Sequence, residues 1–400
     1  MTIDGHRLRA AATIMVMSLA FVAAGRQEEG FATDRGAFAF HYSPQLTDAQ
    51  LAWYSRFDVL VTHDPLPRAQ VERLRRAGTR LLVYEWAVAF YESRARSWEA
   101  AILGNAEVLL NAKPLTGGVG SASAAAWYFD PAAEWHERIR SAELAAYVRR
   151  IGYDGVFFDT TTFESVHPSA RSEYTRRRTA RYDAEYSRFL ARLRKEMPNG
   201  IIFTNQGYRS AEDYLPYVDW DLTESLITRP AGGRFELRPW NDRSDPWNSI
   251  RFLMENMIAP VMRRYPQVRF AHLNYITGPD RAATRVVSAV SEIFGANGYA
   301  ATNVTADEID PVYFLAPGTA RSHVIDHGDG AGAHRFFERG LIAVRFGNAE
   351  IAIEHAGDSA YRDVFSGEQH CGGIVTLASG ESPRAFFLER TAPCARALDD

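Results

Sequence analysis

Residues 152–163 read GYDGVFFDTTTF. The apolar run Val156-Phe157-Phe158 lies between Asp154 and Asp159, and three threonines follow. A run that is apolar at consecutive positions predicts a strand covered on both faces, as in a parallel sheet flanked by helices. Asp154 suits the turn into that strand. Asp159 closes it, either as a turn residue or as the lining of a pocket, and the remaining sequence has to distinguish these.

Seven further runs share the texture: GAFAFHYS (36–43), FDVLVTHD (57–64), RLLVYEWAV (80–88), GIIFTNQG (200–207), VDWDLTES (218–225), VRFAHLNYI (268–276) and GYAATNV (298–304). Amphipathic segments separate them. TDAQLAWYSR opens on a Thr-Asp start signal, PRAQVERLRRAG stops at a glycine, and the stretch from Arg171 to Gly200 has aromatic and leucine positions at helical spacing. Eight strands alternating with helices predict a (β/α)8 TIM barrel over residues 34–305, close to the roughly 250 residues usual for that fold. An open doubly wound sheet is the alternative, but no glycine-rich phosphate loop follows the first strand. Beyond residue 310 apolar and polar residues alternate around Gly and Ser turns, which predicts a small antiparallel β-sandwich-like domain over 310–395.

Net charge is −4 and basic residues are not in excess, so no nucleic-acid partner is expected. The first 25 residues have a basic start, an apolar run from Ala10 to Ala24 and small residues at its end, the pattern of a signal peptide. The expected location is therefore secreted or periplasmic, free of the membrane once the signal is cleaved; an uncleaved anchor is the alternative. Cys371 and Cys394 are the two cysteines. In an oxidising compartment they are expected to form a disulfide, the alternative being two unpaired thiols.

In a barrel the C-terminal strand ends carry the chemistry. Here they bear Tyr42 beside His41, His63-Asp64, Glu85-Trp86, Asp159, Asn205-Gln206, Glu224 and Asn274-Tyr275. One polar strand end is a cap; seven together predict a site. Asp159 and Glu224 are the expected catalytic pair, because glycosidic cleavage needs two carboxyl groups in different protonation states across the bond. The threonines after Asp159 are expected to keep it ionised, and Trp220 with the 229–250 loop to dry the surroundings of Glu224. Expected substrate contacts are Tyr42, Glu85, Trp86, Asp130, Asn205, Gln206, Trp240, Trp247, Asn274 and Tyr275, the tryptophans because sugar faces pack on aromatic planes. For Glu85 the alternative is an arginine partner, and for the tryptophans loop core. His41, His63 and His272 lack metal-ligand spacing, and no metal or cofactor is expected.

At these residues the chain resembles a known group. WYFDPAAEWHERIRSAELAAYVRRIGYDGVFFDTTTF and NGIIFTNQGYRSAEDYLPYVDWDLTESL are similar to glycoside hydrolase family 114, the endo-α-1,4-polygalactosaminidase-like barrels. The resemblance implies a glycosidase acting on a polysaccharide or oligosaccharide, with an amino-sugar polymer among its substrates. It places the family's two carboxylates at Asp159 and Glu224. Thr160-Thr161-Thr162 stand where the family often has a further acidic residue, and Asn274 where an aspartate is expected. A non-catalytic carbohydrate-binding barrel is the alternative reading.

Overall fold

The computed structural model describes residues 36–116, 125–179, 181–301, 310–328, 330–355, 359–380 and 383–394. The expected signal peptide lies outside these residues.

Eight parallel strands form one sheet: β1 (Gly36–His41), β2 (Phe57–Thr62), β3 (Arg80–Trp86), β4 (Gly155–Asp159), β5 (Ile201–Asn205), β6 (Trp220–Glu224), β7 (Arg269–Tyr275) and β8 (Asn297–Ala301), hydrogen-bonded in that order. The last strand returns to the first, with the Tyr299 ring 5.8 Å from that of Phe38. The chain is therefore a TIM barrel carrying small antiparallel sheets after it. The opening stretch shows why consecutive apolar residues suit such a strand. Phe157 turns inward and meets Phe40 and Phe203, each at 5.1 Å. Phe158 turns outward onto Phe189 of the helix Tyr182–Glu196, at 5.6 Å. Inside, Phe38, Phe40, Phe157, Phe203, Trp220 and Tyr299 fill the barrel with rings, so its interior is packed beneath the mouth.

Local signals act as expected at several ends. Thr47 and Gln50 form a reciprocal cap on the helix Asp48–Tyr54, and Gly78 takes the left-handed conformation after the helix Arg68–Arg76. The long helical stretch divides instead into Pro168–Arg177 and Tyr182–Glu196. Arg178 between them is extended and pairs with the buried Asp130 at 2.9 Å, so an ion pair interrupts a pattern that periodicity alone would continue. The 226–250 connection contains a hairpin, Thr228–Ala231 with Arg234–Leu237, turned through Gly232 and Gly233, both at positive φ.

After residue 310, Ile325–Asp326, Gly332–Phe336, Gly340–Arg345, Arg384–Thr391, Ala360–Asp363 and Gln369–His370 form an antiparallel sheet in that spatial order. Ile351–Glu354 pairs separately with Ile374–Leu377. Cys371 and Cys394 are joined, with Cα atoms 5.9 Å apart. The helix Arg281–Phe294 buries one face against this sheet, in a core shared with Trp240, Ile342 and Phe387.

Candidate active site

Strand parity selects what reaches the mouth. Successive side chains point to opposite faces of a strand, so the residues sharing parity with the inward rings Phe40, Phe157, Phe203 and Trp220 are Tyr42, Asp159, Asn205 and Glu224. Tyr84 packs at 5.6 Å against Phe157 and against Trp86, which places both residues on the same inner row of β3. Tyr275 occupies the corresponding end of β7.

These groups form one network. Three donors converge on Asp159: the Tyr84 hydroxyl, the Thr160 backbone N–H at 2.7 Å and the Asn205 amide at 2.7 Å. The same amide nitrogen donates to Glu224 Oε2 at 2.8 Å. Together these two bonds place Asp159 Oδ1 and Glu224 Oε2 no more than about 5.5 Å apart. Glu224 also accepts from the Tyr275 hydroxyl, which lies 3.3 Å from that of Tyr42. Burial, and secondarily the charge of Asp159, pushes the Glu224 carboxyl above its usual range, against the lowering effect of those two donors. Burial also raises the Tyr42 and Tyr275 phenols.

The backbone is bent at the strand ends that carry this network. Thr160, Gln206 and Ser225 are the non-glycine residues with positive φ among the described residues, at 52°, 63° and 53°. Each immediately follows a network residue: Asp159, Asn205 or Glu224. For a β-branched residue such as Thr160 this conformation is costly, and such strain concentrates where side chains must be held at a site. The surrounding structure holds the bends. The Thr161 hydroxyl donates to Asn205 O at 2.7 Å. Asp221, fully buried, accepts from Thr204 Oγ1 and from the N–H groups of Gly207 and Tyr208 at 2.7–2.8 Å. Burial pushes Asp221 up to about 7, although all three donors favour its charged form.

Several expectations are corrected. The threonines donate to Asp159 through backbone rather than hydroxyl: the Thr160 N–H bonds it, whereas the Thr161 hydroxyl serves Asn205 and that of Thr162 pairs with Ser165. Trp220 lies in the barrel floor against Phe203 at 5.5 Å, two inward positions below Glu224, so it is not what dries that residue. Glu85 has the outward parity and forms a buried two-pronged pair with Arg96. Asn274 is fully buried, and its Oδ1 accepts the N–H groups of Ile227 and Thr228. The Gln206 N–H donates to Leu222 O at 2.7 Å, which holds the turn, and the expected contact of its side chain stands as a proposal. Asp130 is saturated by Arg178 and the Ala132 N–H beneath the surface. Trp240 is core, packed on Phe346 at 5.7 Å. Trp247, by contrast, is exposed and edge-on to Phe252, so it is not loop core and its expected sugar contact stands as a proposal.

Sequence reasoning missed Tyr84 and Phe235 and passed over His63. Tyr84 could have been found from its inward parity with Trp86. Phe235, at the hairpin, lies 5.3 Å from the Tyr275 ring and extends the aromatic rim. The His63 ring lies 4.3 Å from that of Tyr84, and its Nδ1 is 3.2 Å from Arg94. A cavity of about 400 Å³ opens beside the network, lined by His63, Tyr84, Glu85, Trp86, Arg94 and Arg96 among others. His41 turns to Gln45 O and His272 to Ser291, so the three histidines do not converge.

No protein-family profile matches the chain, and no curated protein matches it by sequence. Among solved structures, an isomalto-dextranase of Arthrobacter globiformis T6 complexed with panose superposes with a TM-score of 0.55 at 10% identity, covering 91% of this chain and 73% of its own. An α-amylase of Geobacillus thermoleovorans complexed with acarbose gives 0.52 at 8% identity, covering 89% and 98%. The glycoside hydrolase domain of PelA from Pseudomonas aeruginosa gives 0.48 at 21% identity, covering 66% and 93%. At these identities the first two likenesses establish the fold.

Proposed function

We propose that this chain is an exported glycoside hydrolase that cleaves a polysaccharide with Asp159 as nucleophile and Glu224 as general acid/base, retaining the anomeric configuration. The observation that carries the reading is the carboxyl pair at the barrel mouth: its facing oxygens lie no more than about 5.5 Å apart, which supports the closer spacing of retaining enzymes over the wider one of inverting enzymes. Their unequal surroundings support the roles. Donors crowd Asp159, which suits an attacking anion, while burial and the charge of Asp159 favour the protonated form of Glu224.

In the first step an Asp159 oxygen bonds to the anomeric carbon, the glycosidic C–O bond breaks, and Glu224 passes its proton to the leaving oxygen. In the second, Glu224 takes a proton from water as that water's oxygen displaces Asp159, which restores both groups. The mouth aromatics Tyr42, Trp86, Tyr91, Tyr275 and Phe235 supply planes on which sugar rings stack. The amino-sugar substrate is what the family-114 resemblance suggests, and export is what the apolar N-terminal run suggests.

The test is a turnover screen of the mature protein against neutral, acidic and amino-sugar polysaccharides, with product anomers followed by NMR. Asp159→Asn and Glu224→Gln should each lower kcat at least 10³-fold while the fold is kept. Wild-type activity in either variant would refute the assignment. Glycan affinity without turnover would favour the carbohydrate-binding alternative, and inverted product would reject the retaining mechanism.

A further inference from the structure

Asn205 stands in an unusual position for a residue expected to bind a substrate hydroxyl. It is buried, and its amide nitrogen is within 2.8 Å of oxygens from both carboxyl groups. The two amide hydrogens are therefore both committed, one to Asp159 and one to Glu224. Turned over, the amide would set its oxygen against the Asp159 carboxylate and withdraw its donors from both carboxyl groups; as placed, that oxygen points away, buried and without a partner among the described residues. Nothing on Asn205 is left to donate to a sugar. The residue is also clamped from both sides: Thr161 binds its carbonyl, and the following turn is held by the Gln206 N–H on Leu222 and by Asp221 on Gly207 and Tyr208.

We propose that Asn205 is the positioning residue of the pair, a shared neutral donor that sets the separation of Asp159 and Glu224 and transmits the change of charge at one to the other. The proposal rests on the two-carboxylate reading above. Its chemistry follows from the cycle. While Asp159 is an anion, it competes with Glu224 for the amide and repels a second negative charge, so Glu224 keeps its proton. Once Asp159 is esterified, its charge is consumed in the bond to carbon and it becomes a poor acceptor. The repulsion ends, and the amide remains as a donor to Glu224, which is now stabilised as the anion that must take a proton from water. An amide does this without adding charge. Alanine would leave the pair without its spacer, and aspartate would add a third negative charge.

The test titrates Glu224 directly in the full chain, by carbon-13 NMR of protein labelled in glutamate carboxyls, with the resonance assigned by its loss in Glu224→Gln. It needs no substrate, so it remains informative even if no glycan is turned over. In Asn205→Ala the Glu224 titration should move up by about one pH unit, because a donor to the carboxylate is lost. Where turnover is measurable, the basic limb of the kcat/KM profile should move with it, with kcat down about 100-fold and KM changed less than about threefold. Asn205→Asp should move the titration further in the same direction, with far-ultraviolet circular dichroism unchanged in both variants. An unmoved titration together with a raised KM would overturn the proposal and return Asn205 to substrate binding.

Discussion

Asp159 and Glu224 carry the same functional group, and the contrast between them is made by neighbours rather than by their own chemistry. The Tyr84 hydroxyl is one of the three donors on Asp159, and Tyr84 also lines the cavity beside the network. Tyr84→Phe removes that donor while keeping the ring on Phe157, so kcat should fall about 10- to 100-fold with little change in thermal stability; kinetics beside a melting curve check this. The pH dependence follows from Glu224, whose carboxyl is raised by burial and then by Asp159. Its protonated form is the active one, so kcat/KM should fall as pH rises through that raised pKa. The limb should follow the Glu224 titration seen by NMR, and a basic limb set by another group would contradict the role.

Elements explain which polar strand ends are functional. Along β3 the residues alternate between mouth and outer wall, so Tyr84 and Trp86 face the site while Glu85 faces the layer behind it. The same alternation separates Tyr275 from Asn274 and Tyr42 from His41. Glu85 is buried with Arg96 as its charged partner, and removing one member of such a pair leaves the other uncompensated. Glu85→Gln should therefore cost about 3 kcal/mol of stability, measured by denaturant unfolding, with KM nearly unchanged. A large rise in KM at unchanged stability would instead make Glu85 a substrate ligand. The left-handed turns at Thr160, Gln206 and Ser225 act at the same scale, since each bends the chain away directly after a side chain that has to stay in the mouth.

At the scale of the molecule, the barrel's far end meets the C-terminal sheet around a second cavity of about 370 Å³, lined by Asp58, Arg269, Ser288 and Glu292 among others. Glu292 has no ion pair or side-chain hydrogen bond among the described residues, and burial pushes it from 4.5 up to about 8. Its folded pKa exceeds its unfolded one, so the folded state holds the extra proton between those values. The associated stability is full below about pH 4.5 and is lost as pH rises toward 8, a slope worth up to a few kcal/mol. Glu292→Gln mimics the protonated form; it should raise the melting temperature at pH 8 and leave it nearly unchanged at pH 5. Equal shifts at both values would show that titration is not the cause.

The eight barrel strands and the β texture after residue 310 were legible in the sequence because an apolar run bounded by turn residues is a property of near neighbours. Each quoted run contains its strand, from Gly36–His41 to Arg269–Tyr275; in the eighth, the strand Asn297–Ala301 begins one residue before the quoted run. Asp159 and Glu224 were legible for a related reason, since a carboxylate that ends a doubly covered strand has only the barrel mouth to occupy. What reaches across the mouth was decided by tertiary structure alone. Tyr84 meets Asp159 across 75 positions, Asn205 meets it across 46, and Tyr42 meets Tyr275 across 233. No local pattern encodes such distances. Trp240 became core and Trp247 surface for the same reason: composition says that a ring will seek cover, but only the packing of the C-terminal sheet against the helix Arg281–Phe294 determines which ring finds it.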